Sequence, residues 1–386
     1  MKILMVHPHD LFDRSEPWTI RIKSIAREFE KKDHKVKLCY FPLTINEKHY
    51  PKNMGSIELI PLDRTPSPKA FIINIIKLIK LCKWANIVHL QKCHHYSSIP
   101  TVIAAYIAAK PLHYDWDDWE EKIWYESCGR GLHSRFIGFS FKVLERWLPV
   151  LADSTSCASK CLRNLTYKFG VKKEYIFDTP VGADLDKFKP SLNGQWVKKK
   201  FNISSDLVLY IGQLHGAQYV DIFIKAANIL SSERPDVKFM IVGEGFSEHS
   251  LKQLTYDLGL KDKVIFTGSI PYGDIPDYVN AASVCVAPFK DTEVTRCKSP
   301  LKIAEYLASG KPIVASLVGE VRNMIGGCGV LVKPGDHHSL AEGILRLVED
   351  KELRGKLSKH ARKRAERKYN WTNTADSLIC AYKKIL

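Results

Sequence analysis

The chain has 386 residues, of which 45% are hydrophobic and 26% are charged, and its formal net charge is +16. This length is enough for two domains with separate cores, and the composition is ordinary for a soluble globular protein. The positive charge favours anionic partners, namely nucleotides, nucleic acid or an anionic membrane surface, although well-solvated lysines would give the same balance.

Cysteine spacing and hydropathy exclude several classes of protein. The ten cysteines include no Cys-x2-Cys pair, so the pattern indicates neither a zinc ribbon nor a small disulfide scaffold. Cys93, His94 and His95 are adjacent and would point apart on a strand or loop, so we predict no metal site there. No run of about 18 apolar residues is present, and we therefore expect no transmembrane segment.

The first elements form a βαβ unit. Lys2 to Val6 reads as a buried strand, and a polar loop follows from His7 to Thr19. A helix from about Ile20 to Lys31 and a strand from Lys35 to Tyr40 complete the unit. Because no long apolar region follows Val6, we interpret this start as a strand and not a signal peptide, and we expect a cytoplasmic protein.

The segment from Phe71 to Cys82 is strongly apolar and is interrupted by Lys77 and Lys80. A basic amphipathic helix of this kind can lie on an anionic bilayer. The alternative, which we favour, is a helix packed inside the domain that leads into a strand from Ile87 to Leu90. Peripheral contact with the inner face of an anionic membrane is therefore a secondary hypothesis.

The segment from His113 to Glu121 contains five carboxylates and two tryptophans directly behind a predicted strand. Aromatic faces with carboxylates between them suit a sugar, because the rings stack on C–H groups and the carboxylates accept from hydroxyls. Acidic residues at a helix start that complement the helix dipole are the alternative interpretation, and both can hold together.

The most informative stretch runs from Lys298 to Ser316 and predicts a loop, a helix and a buried strand. Ser299 suits the N-cap, Pro300 the first helical position and Gly310 the position beyond the end of the helix. The helix would be about ten residues long, with Leu301 beginning its packed stripe.

A buried strand from Val284 to Pro288 precedes this helix, so the unit is β-loop-α-β. Ligands of open parallel sheets bind beyond the carboxyl ends of the strands, where this helix begins. Arg296, Lys298 and Lys302 place three cations beside the helix N-terminus, which favours a phosphate or diphosphate. Glu305 lies one turn further in and is suited to accept hydrogen bonds from a ribose diol. By itself this unit is also ordinary α/β architecture.

The run Ser299-Pro-Leu-Lys-Ile-Ala-Glu-Tyr-Leu-Ala-Ser-Gly-Lys-Pro-Ile-Val-Ala315 resembles the signature of the family 4 glycosyltransferases. The resemblance implies an α/β protein of the GT-B fold, with two Rossmann-like domains facing each other across a cleft. Residues 1–183 would form the acceptor-side domain, with a C-terminal helix of about 372–386 packing back on it, and residues 184–371 the nucleotide-sugar domain. It implies a retaining enzyme that uses a nucleotide-sugar donor, no metal and no cofactor.

The resemblance also assigns site residues. Catalytic roles fall to Asp117, Lys302 and Glu305. The donor side would comprise Gly212, Gln213, Gln218, Gly243, Arg296, Lys298, Ser299, Pro300, Leu301, Lys302 and Glu305. The acceptor side would comprise Glu16, His113, Asp115, Trp116, Asp117 and Asp118.

The chain departs from the family at three places. Gln213 and Gln218 stand where the family has an arginine and a lysine that hold the donor diphosphate. Cys297 replaces an acid, for which Asp291 or Glu293 could substitute. Glu16 and Pro17 replace a glycine pair. We hypothesise that the cations at positions 296, 298 and 302 compensate for the two glutamines.

The sequence thus predicts sugar transfer from a nucleotide diphosphate sugar to a glycan, lipid-linked or small-molecule acceptor. The glutamines and Cys297 also fit a catalytically silent GT-B binding protein, and a nucleotide-sugar epimerase of the same fold is a further alternative. A nucleic-acid binder would explain the charge, but no recognised motif supports it, and we predict no nucleic-acid partner.

Overall fold

The structure is a computed structural model and describes residues 1–12, 16–43, 51–129 and 131–386. The chain divides into two compact units. Unit 1 comprises Met1–Val181 and Trp371–Leu386, and unit 2 comprises Gly182–Asn370. The division falls close to the domain end predicted at residue 183.

Unit 1 is built on a sheet of eight strands in the order β3-β4-β2-β1-β5-β6-β7-β8. The strands are β1 (Lys2–Val6), β2 (Lys35–Tyr40), β3 (Asn53–Met54), β4 (Ile57–Pro61), β5 (Ile87–Gln91), β6 (Leu112–Trp116), β7 (Ser154–Cys157) and β8 (Ile176–Asp178). β3 pairs antiparallel with β4, whereas β1 pairs parallel with both β2 and β5. Strands covered on both faces must be largely apolar, which is why the buried run Ile3-Leu-Met-Val6 made β1 predictable.

Helices connect the strands of unit 1. They are α1 (Pro17–Lys31), α2 (Pro68–Trp84), α3 (His95–Ile107), α4 (Glu120–Cys128), α5 (Leu132–Leu151) and α6 (Lys160–Lys168). α2 begins with a side-chain cap, since Ser67 accepts from the backbone N–H of Ala70. α1 begins three residues before the predicted Ile20, because Pro17 occupies its first position after Glu16 in extended conformation.

Unit 2 is built on a parallel sheet of six strands in the order β11-β10-β9-β12-β13-β14. The strands are β9 (Leu207–Ile211), β10 (Lys238–Val242), β11 (Val264–Phe266), β12 (Val284–Ala287), β13 (Ile313–Ser316) and β14 (Gly329–Val332). The helices are α7 (Gln195–Lys200), α8 (Val220–Glu233), α9 (Glu248–Asp257), α10 (Ile275–Ala281), α11 (Glu293–Cys297), α12 (Leu301–Ala308), α13 (Gly319–Ile325), α14 (His337–Glu349) and α15 (Lys351–Arg367).

Each sheet has a topological switch point, where the chain reverses the direction in which it adds strands. In unit 1 the switch lies between β1 and β5, and in unit 2 it lies between β9 and β12. Ligands of open α/β sheets bind at the carboxyl ends of the strands at such a point. The candidate sites are therefore the residues that directly follow β1 and β5 in unit 1, and β9 and β12 in unit 2.

The last helix, α16 (Trp371–Ile385), belongs to unit 1. The hydroxyl of Thr372 donates to the Glu28 carboxylate at 2.8 Å, and the Tyr382 hydroxyl contacts His89 Nδ1 at 2.7 Å. These bonds hold α16 against α1 and the sheet of unit 1. Across the described ranges, we find no helix with both the length and the apolar character needed to span a membrane.

Candidate functional site

Glycine turns shape the carboxyl edge of the unit 2 sheet. Gly212 follows β9 and Gly243 follows β10, with φ angles of 149° and 138°. A Cβ atom at Gly243 would lie 2.0 Å from the Gly212 carbonyl oxygen, so the two loops touch through backbone. A Cβ at Gly212 would also lie 2.6 Å from Lys302 Nζ. The absence of a side chain at Gly212 therefore leaves room for the Lys302 ammonium group at the switch point.

Helix α12 follows β12 through a loop and starts one residue later than the sequence suggested. Pro300 is the N-cap, in extended conformation, and no side chain caps the helix. The assignment of Ser299 as the N-cap is therefore wrong, and its hydroxyl lies 3.9 Å from Met324 Sδ. The helix has eight residues rather than about ten. Gly310 has a φ of +60°, which fits the predicted left-handed position beyond the helix end.

Lys302 lies on the first turn of α12, in surroundings that disfavour its positive charge. Its Nζ donates to Gln218 Oε1 at 3.3 Å and lies 4.0 Å from the centre of the Tyr210 ring. Among the described residues, no carboxylate forms an ion pair with it. Burial lowers the pKa of Lys302 well below its ordinary value, Lys298 lowers it further, and Glu305 opposes the change. An anion placed here would restore the charged form.

Both glutamines accept from the Tyr210 hydroxyl, and Gln218 also contacts Lys302. Gln218 accepts from the Tyr210 hydroxyl at 3.3 Å as well as from Lys302, and its amide nitrogen lies 3.4 Å from His215 Nε2. The Gln213 carbonyl accepts from the same Tyr210 hydroxyl at 3.4 Å. Burial, with Lys298 and Lys302 nearby, lowers the pKa of His215 to about 4, so this imidazole is neutral at pH 7. The loop after β9 thus supplies neutral hydrogen-bonding groups around Lys302.

Glu305 lies one turn beyond Lys302 and is almost fully buried. Burial raises the pKa of Glu305 to about 8, although the Tyr272 hydrogen bond and Lys302 both act to lower it. The Tyr272 hydroxyl donates to Glu305 Oε1 at 2.8 Å. At pH 7 the carboxyl group is mostly protonated, so it can both donate and accept a hydrogen bond. A neutral Glu305 removes the repulsion that a carboxylate would exert on a nearby phosphate.

The loop between β12 and α12 holds the remaining predicted donor residues. It contains α11, whose start is closed by reciprocal bonds between Thr292 and Thr295. The Arg296 guanidinium donates to both carboxylate oxygens of Asp291, at 2.6 and 2.9 Å, and both side chains are about half exposed. Arg296 therefore has a carboxylate partner within its own loop, which weakens its predicted role as a countercharge. Cys297 is buried.

The residues predicted for the acceptor side fall into two groups in unit 1. His113, Asp115 and Trp116 lie within β6 rather than behind it, and all three are buried. The Asp115 carboxylate accepts two bonds of 2.8 Å from the Arg21 guanidinium. His113 lies 2.7 Å from Ser154 Oγ. The acceptor role predicted for these three residues does not fit their placement, because protein groups surround them.

Asp117 and Asp118 do lie at the carboxyl edge of the unit 1 sheet, directly after β6. There they surround Lys92, whose Nζ is 3.3 Å from Asp117 Oδ1 and 3.9 Å from Asp118 Oδ2 and also contacts Glu120. Burial alone would lower the pKa of Lys92, but Asp117, Glu120 and Asp118 outweigh burial and hold it well above its ordinary value. Asp117 also accepts from Gln91 at 3.0 Å. Glu16 directly precedes α1, in extended conformation.

Several residues of these two edges were missed in the sequence. Gln91 is the last residue of β5, and Lys92 directly follows it. Tyr210 and Tyr272 contact Lys302 and Glu305 of α12. His7 follows β1, and its Nδ1 lies 2.7 Å from Gln91 Oε1. The rule that placed Asp117 behind a strand applies equally to Lys92 and His7. The described residues contain no group of three or more His, Cys, Asp or Glu side chains arranged to hold a metal ion.

Comparison with solved structures establishes the class of fold. A crystal structure of Anabaena HepE in complex with UDP and glucose superposes with a TM-score of 0.78 at 19% identity, and the match covers 100% of both chains. With two parallel-sheet α/β units, the chain has the GT-B fold, as predicted from the sequence.

Sequence comparison gives a family match for one part of the chain. Residues 196–364, which make up most of unit 2, match the model of the glycosyl transferases group 1. The match confirms the predicted resemblance over this part of the chain, and family 4 is consistent with it.

Two relatives of known name each match about half of the chain. The alpha-D-kanosaminyltransferase of Streptomyces kanamyceticus is 29% identical over 181 residues, which are 46% of this chain and 46% of that protein. The mannosylfructose-phosphate synthase of Agrobacterium fabrum is 27% identical over 228 residues, 55% of this chain and 48% of that protein. The chain thus spans about half the length of these two relatives.

Proposed function

We propose that this protein is a retaining glycosyltransferase that moves a sugar from a nucleotide diphosphate sugar to an acceptor hydroxyl. The observation that supports the proposal best is the setting of Lys302, a half-buried lysine whose side-chain nitrogen has an amide and an aromatic ring as its neighbours. A buried cation without a countercharge is costly, and it persists where a ligand supplies the missing charge.

The donor diphosphate would lie at the start of α12. Lys302 would neutralise it, with backbone N–H groups of the first turn, which no side chain caps, as additional donors. Gln213 and Gln218 would hydrogen-bond to phosphate oxygens without adding charge. Glu305, held by Tyr272, would contact the ribose diol, since its protonated carboxyl group can donate to one hydroxyl and accept from the other.

The chemistry we propose needs no nucleophile from the protein. The bond between the anomeric carbon and the diphosphate oxygen breaks, and the acceptor oxygen bonds to the same face of that carbon. The leaving diphosphate oxygen takes the proton of the acceptor hydroxyl. Negative charge grows on the diphosphate during this step, so Lys302 would stabilise the transition state more than the ground state.

We propose that the acceptor binds to unit 1 at the carboxyl edge of its sheet. Asp118 is the more exposed of the two aspartates that follow β6, with 22% of its side chain accessible, against 6% for Asp117. Asp118 would accept a hydrogen bond from a hydroxyl group of the acceptor substrate. Asp117, held between Gln91 and Lys92, would help to position Asp118. This assignment keeps Asp117 in the reaction but gives it an indirect role.

A donor panel tests the proposal. UDP is the first nucleotide to try because the HepE structure holds it, and GDP, ADP and their sugar conjugates complete the set. We expect one nucleotide to raise the melting temperature and its sugar conjugate to be consumed when an acceptor is present. The anomeric coupling constant of the product, measured by NMR, should report retention. Addition of EDTA should leave the rate unchanged, since we expect no metal or cofactor.

The same panel separates the two alternatives. A catalytically silent binding protein, favoured by the glutamines at positions 213 and 218, would bind a nucleotide sugar and neither transfer nor hydrolyse it. An epimerase would convert the sugar nucleotide with no acceptor present. Either result would replace the transferase proposal while leaving the donor site on unit 2 in place.

A further inference from the structure

Helix α5 of unit 1 has its apolar stripe on the outside. Leu132, Phe136, Phe139, Val143, Trp147 and Val150 recur at intervals of three or four residues, so they form one ridge along the helix. All six are exposed, and Leu132 and Phe136 have 87% and 77% of their surface accessible. An amphipathic helix of a globular domain normally turns such a stripe inward. Single exposed apolar residues are ordinary, but a continuous ridge of this size marks an interaction surface.

The inward face of α5 explains why the helix cannot rotate to bury this ridge. Glu145 is buried and accepts from the backbone N–H groups of Glu120 and Glu121, at 2.7 and 3.2 Å, at the start of α4. A Cβ atom added at Gly138 would lie 2.3 Å from the Tyr125 ring, so α4 and α5 pack closely at that glycine. These contacts fix the polar and small residues of α5 inside and leave the ridge outside.

Charge on α5 indicates what covers the ridge. Arg135, Lys142 and Arg146 are exposed and lie together along one flank of the ridge. The single carboxylate of α5 is Glu145, which is buried. The exposed surface of this helix is therefore an apolar ridge with a cationic border and no exposed acid. An apolar face that enters the acyl chains, with cations at the level of the headgroups, is the pattern that binds an anionic bilayer.

We propose that α5 docks unit 1 on an anionic phospholipid bilayer, with its ridge inserted and its cationic flank on the lipid phosphates. The proposal moves membrane contact from α2, where the sequence suggested it. On α2 the exposed Ile72 and Ile76 share their face with Lys69, Lys80 and Lys83, so apolar and charged groups are not separated. On α5 they are.

The test is co-sedimentation of the full chain with vesicles, at about 50 mM salt. We expect binding to vesicles that contain roughly 30% phosphatidylglycerol and much weaker binding to pure phosphatidylcholine, with a loss of binding as salt is raised. F136S/F139S should lower the partition coefficient about tenfold or more, because it removes two inserted rings. The matched variant I72S/I76S on α2 should retain most of the binding.

A second variant covers the case in which F136S/F139S fails to fold. R135E/K142E leaves the ridge intact and should abolish the preference for anionic vesicles while the circular dichroism spectrum is unchanged. The proposal is overturned if wild-type protein does not sediment with anionic vesicles, or if I72S/I76S lowers binding as much as F136S/F139S does. It is also overturned if light scattering shows a dimer that F136S/F139S converts to monomer, since the ridge would then bind a second copy.

Discussion

Two lysines beyond the carboxyl ends of their sheets, the buried Lys92 directly after β5 in unit 1 and the half-buried Lys302 on α12 in unit 2, have opposite surroundings. Three carboxylates surround Lys92 and hold its pKa well above the ordinary value, despite burial. Lys302 has a glutamine and a tyrosine ring instead, and burial lowers its pKa well below the ordinary value. A lysine is thus matched by carboxylates in one unit, whereas in the described part of the other unit a lysine has no carboxylate partner and its charged form is disfavoured.

The difference separates a structural cation from one suited to bind a ligand. The contacts of Lys92 are complete within the protein, so removing it would leave buried carboxylates without their partner. Removing Lys302 would instead remove a side chain whose charged form is disfavoured by its surroundings. Substitution of Lys92 should therefore lower stability, whereas substitution of Lys302 should lower ligand affinity without lowering stability. This contrast can be measured.

The largest effect should come from Lys92→Met. We expect it to lower the free energy of unfolding by about 3–5 kcal/mol, because Asp117, Asp118 and Glu120 would keep their charges without the ammonium group. Chemical denaturation measures the change. Lys172→Met, which removes an exposed lysine of the same unit, is the control and should alter stability by less than about 0.5 kcal/mol. A Lys92→Met protein as stable as the control would contradict the structural role.

Glu305 should make the free energy of unfolding depend on pH, and Glu305→Gln should remove that dependence. Its pKa is about 8 in the folded protein and near 4.5 as an ordinary side chain, so the folded state binds the proton more tightly. The stabilising contribution of that proton is complete below pH 4.5 and is lost as pH rises to about 8.

Glu305→Gln should therefore become more stable than wild type as pH rises through this interval, by on the order of 2–4 kcal/mol at the upper end. Denaturation curves of both proteins at several pH values give the difference. If the two proteins keep a constant difference in stability from pH 4.5 to 8, Glu305 is not buried in its neutral form.

Lys302→Met should stabilise unit 2. The gain is about 1 kcal/mol, because a methionine of similar shape fits against Tyr210 without a buried charge. Wild type should also lose stability relative to the variant as pH falls, since the folded protein binds the Lys302 proton less tightly than the unfolded chain does. A loss of several kcal/mol on substitution would mean that Lys302 is a structural residue like Lys92.

The smallest effect should come from Arg296→Ala. Asp291 already accepts both of its bonds, and the pair is exposed to solvent. We expect donor affinity to change by no more than about threefold. A much larger loss would restore Arg296 as a countercharge and reduce the weight that the comparison gives to Lys302.

The fold was largely predictable because its strands are continuous apolar runs. The predicted bounds of β1 and β2 match the structure, and the left-handed Gly310 beyond α12 was expected from its residue type. The helix starts were predicted less accurately, since a proline can occupy either the N-cap or the first helical position. Pro17 is the first residue of α1, whereas Pro300 is the N-cap of α12. β6 ran further than expected because charged and aromatic residues such as Asp115 pair inside the sheet.

The candidate site was predictable in part for a different reason. Lys302 and Glu305 follow from helical spacing and sheet topology, which are local. The pairing of Lys92 with Asp117 joins residues on different strands, and a sequence pattern does not report which charges meet. The outward stripe of α5 has the same periodicity as a core-facing one, so only the burial of Glu145 and Gly138 shows which side faces in.

Isothermal titration calorimetry with the nucleotide that the panel selects tests the central claim most directly, with wild type, Lys302→Met and Lys261→Met compared. Lys261 is exposed and precedes β11 at the opposite edge of the sheet, so its loss removes one cation of equal charge far from α12. The account predicts that Lys302→Met binds the nucleotide diphosphate at least about tenfold more weakly than wild type while unfolding at the same or a higher denaturant concentration. It predicts no more than a twofold change, roughly, for Lys261→Met. Equal weakening in both lysine variants, or undiminished affinity in Lys302→Met, would contradict it.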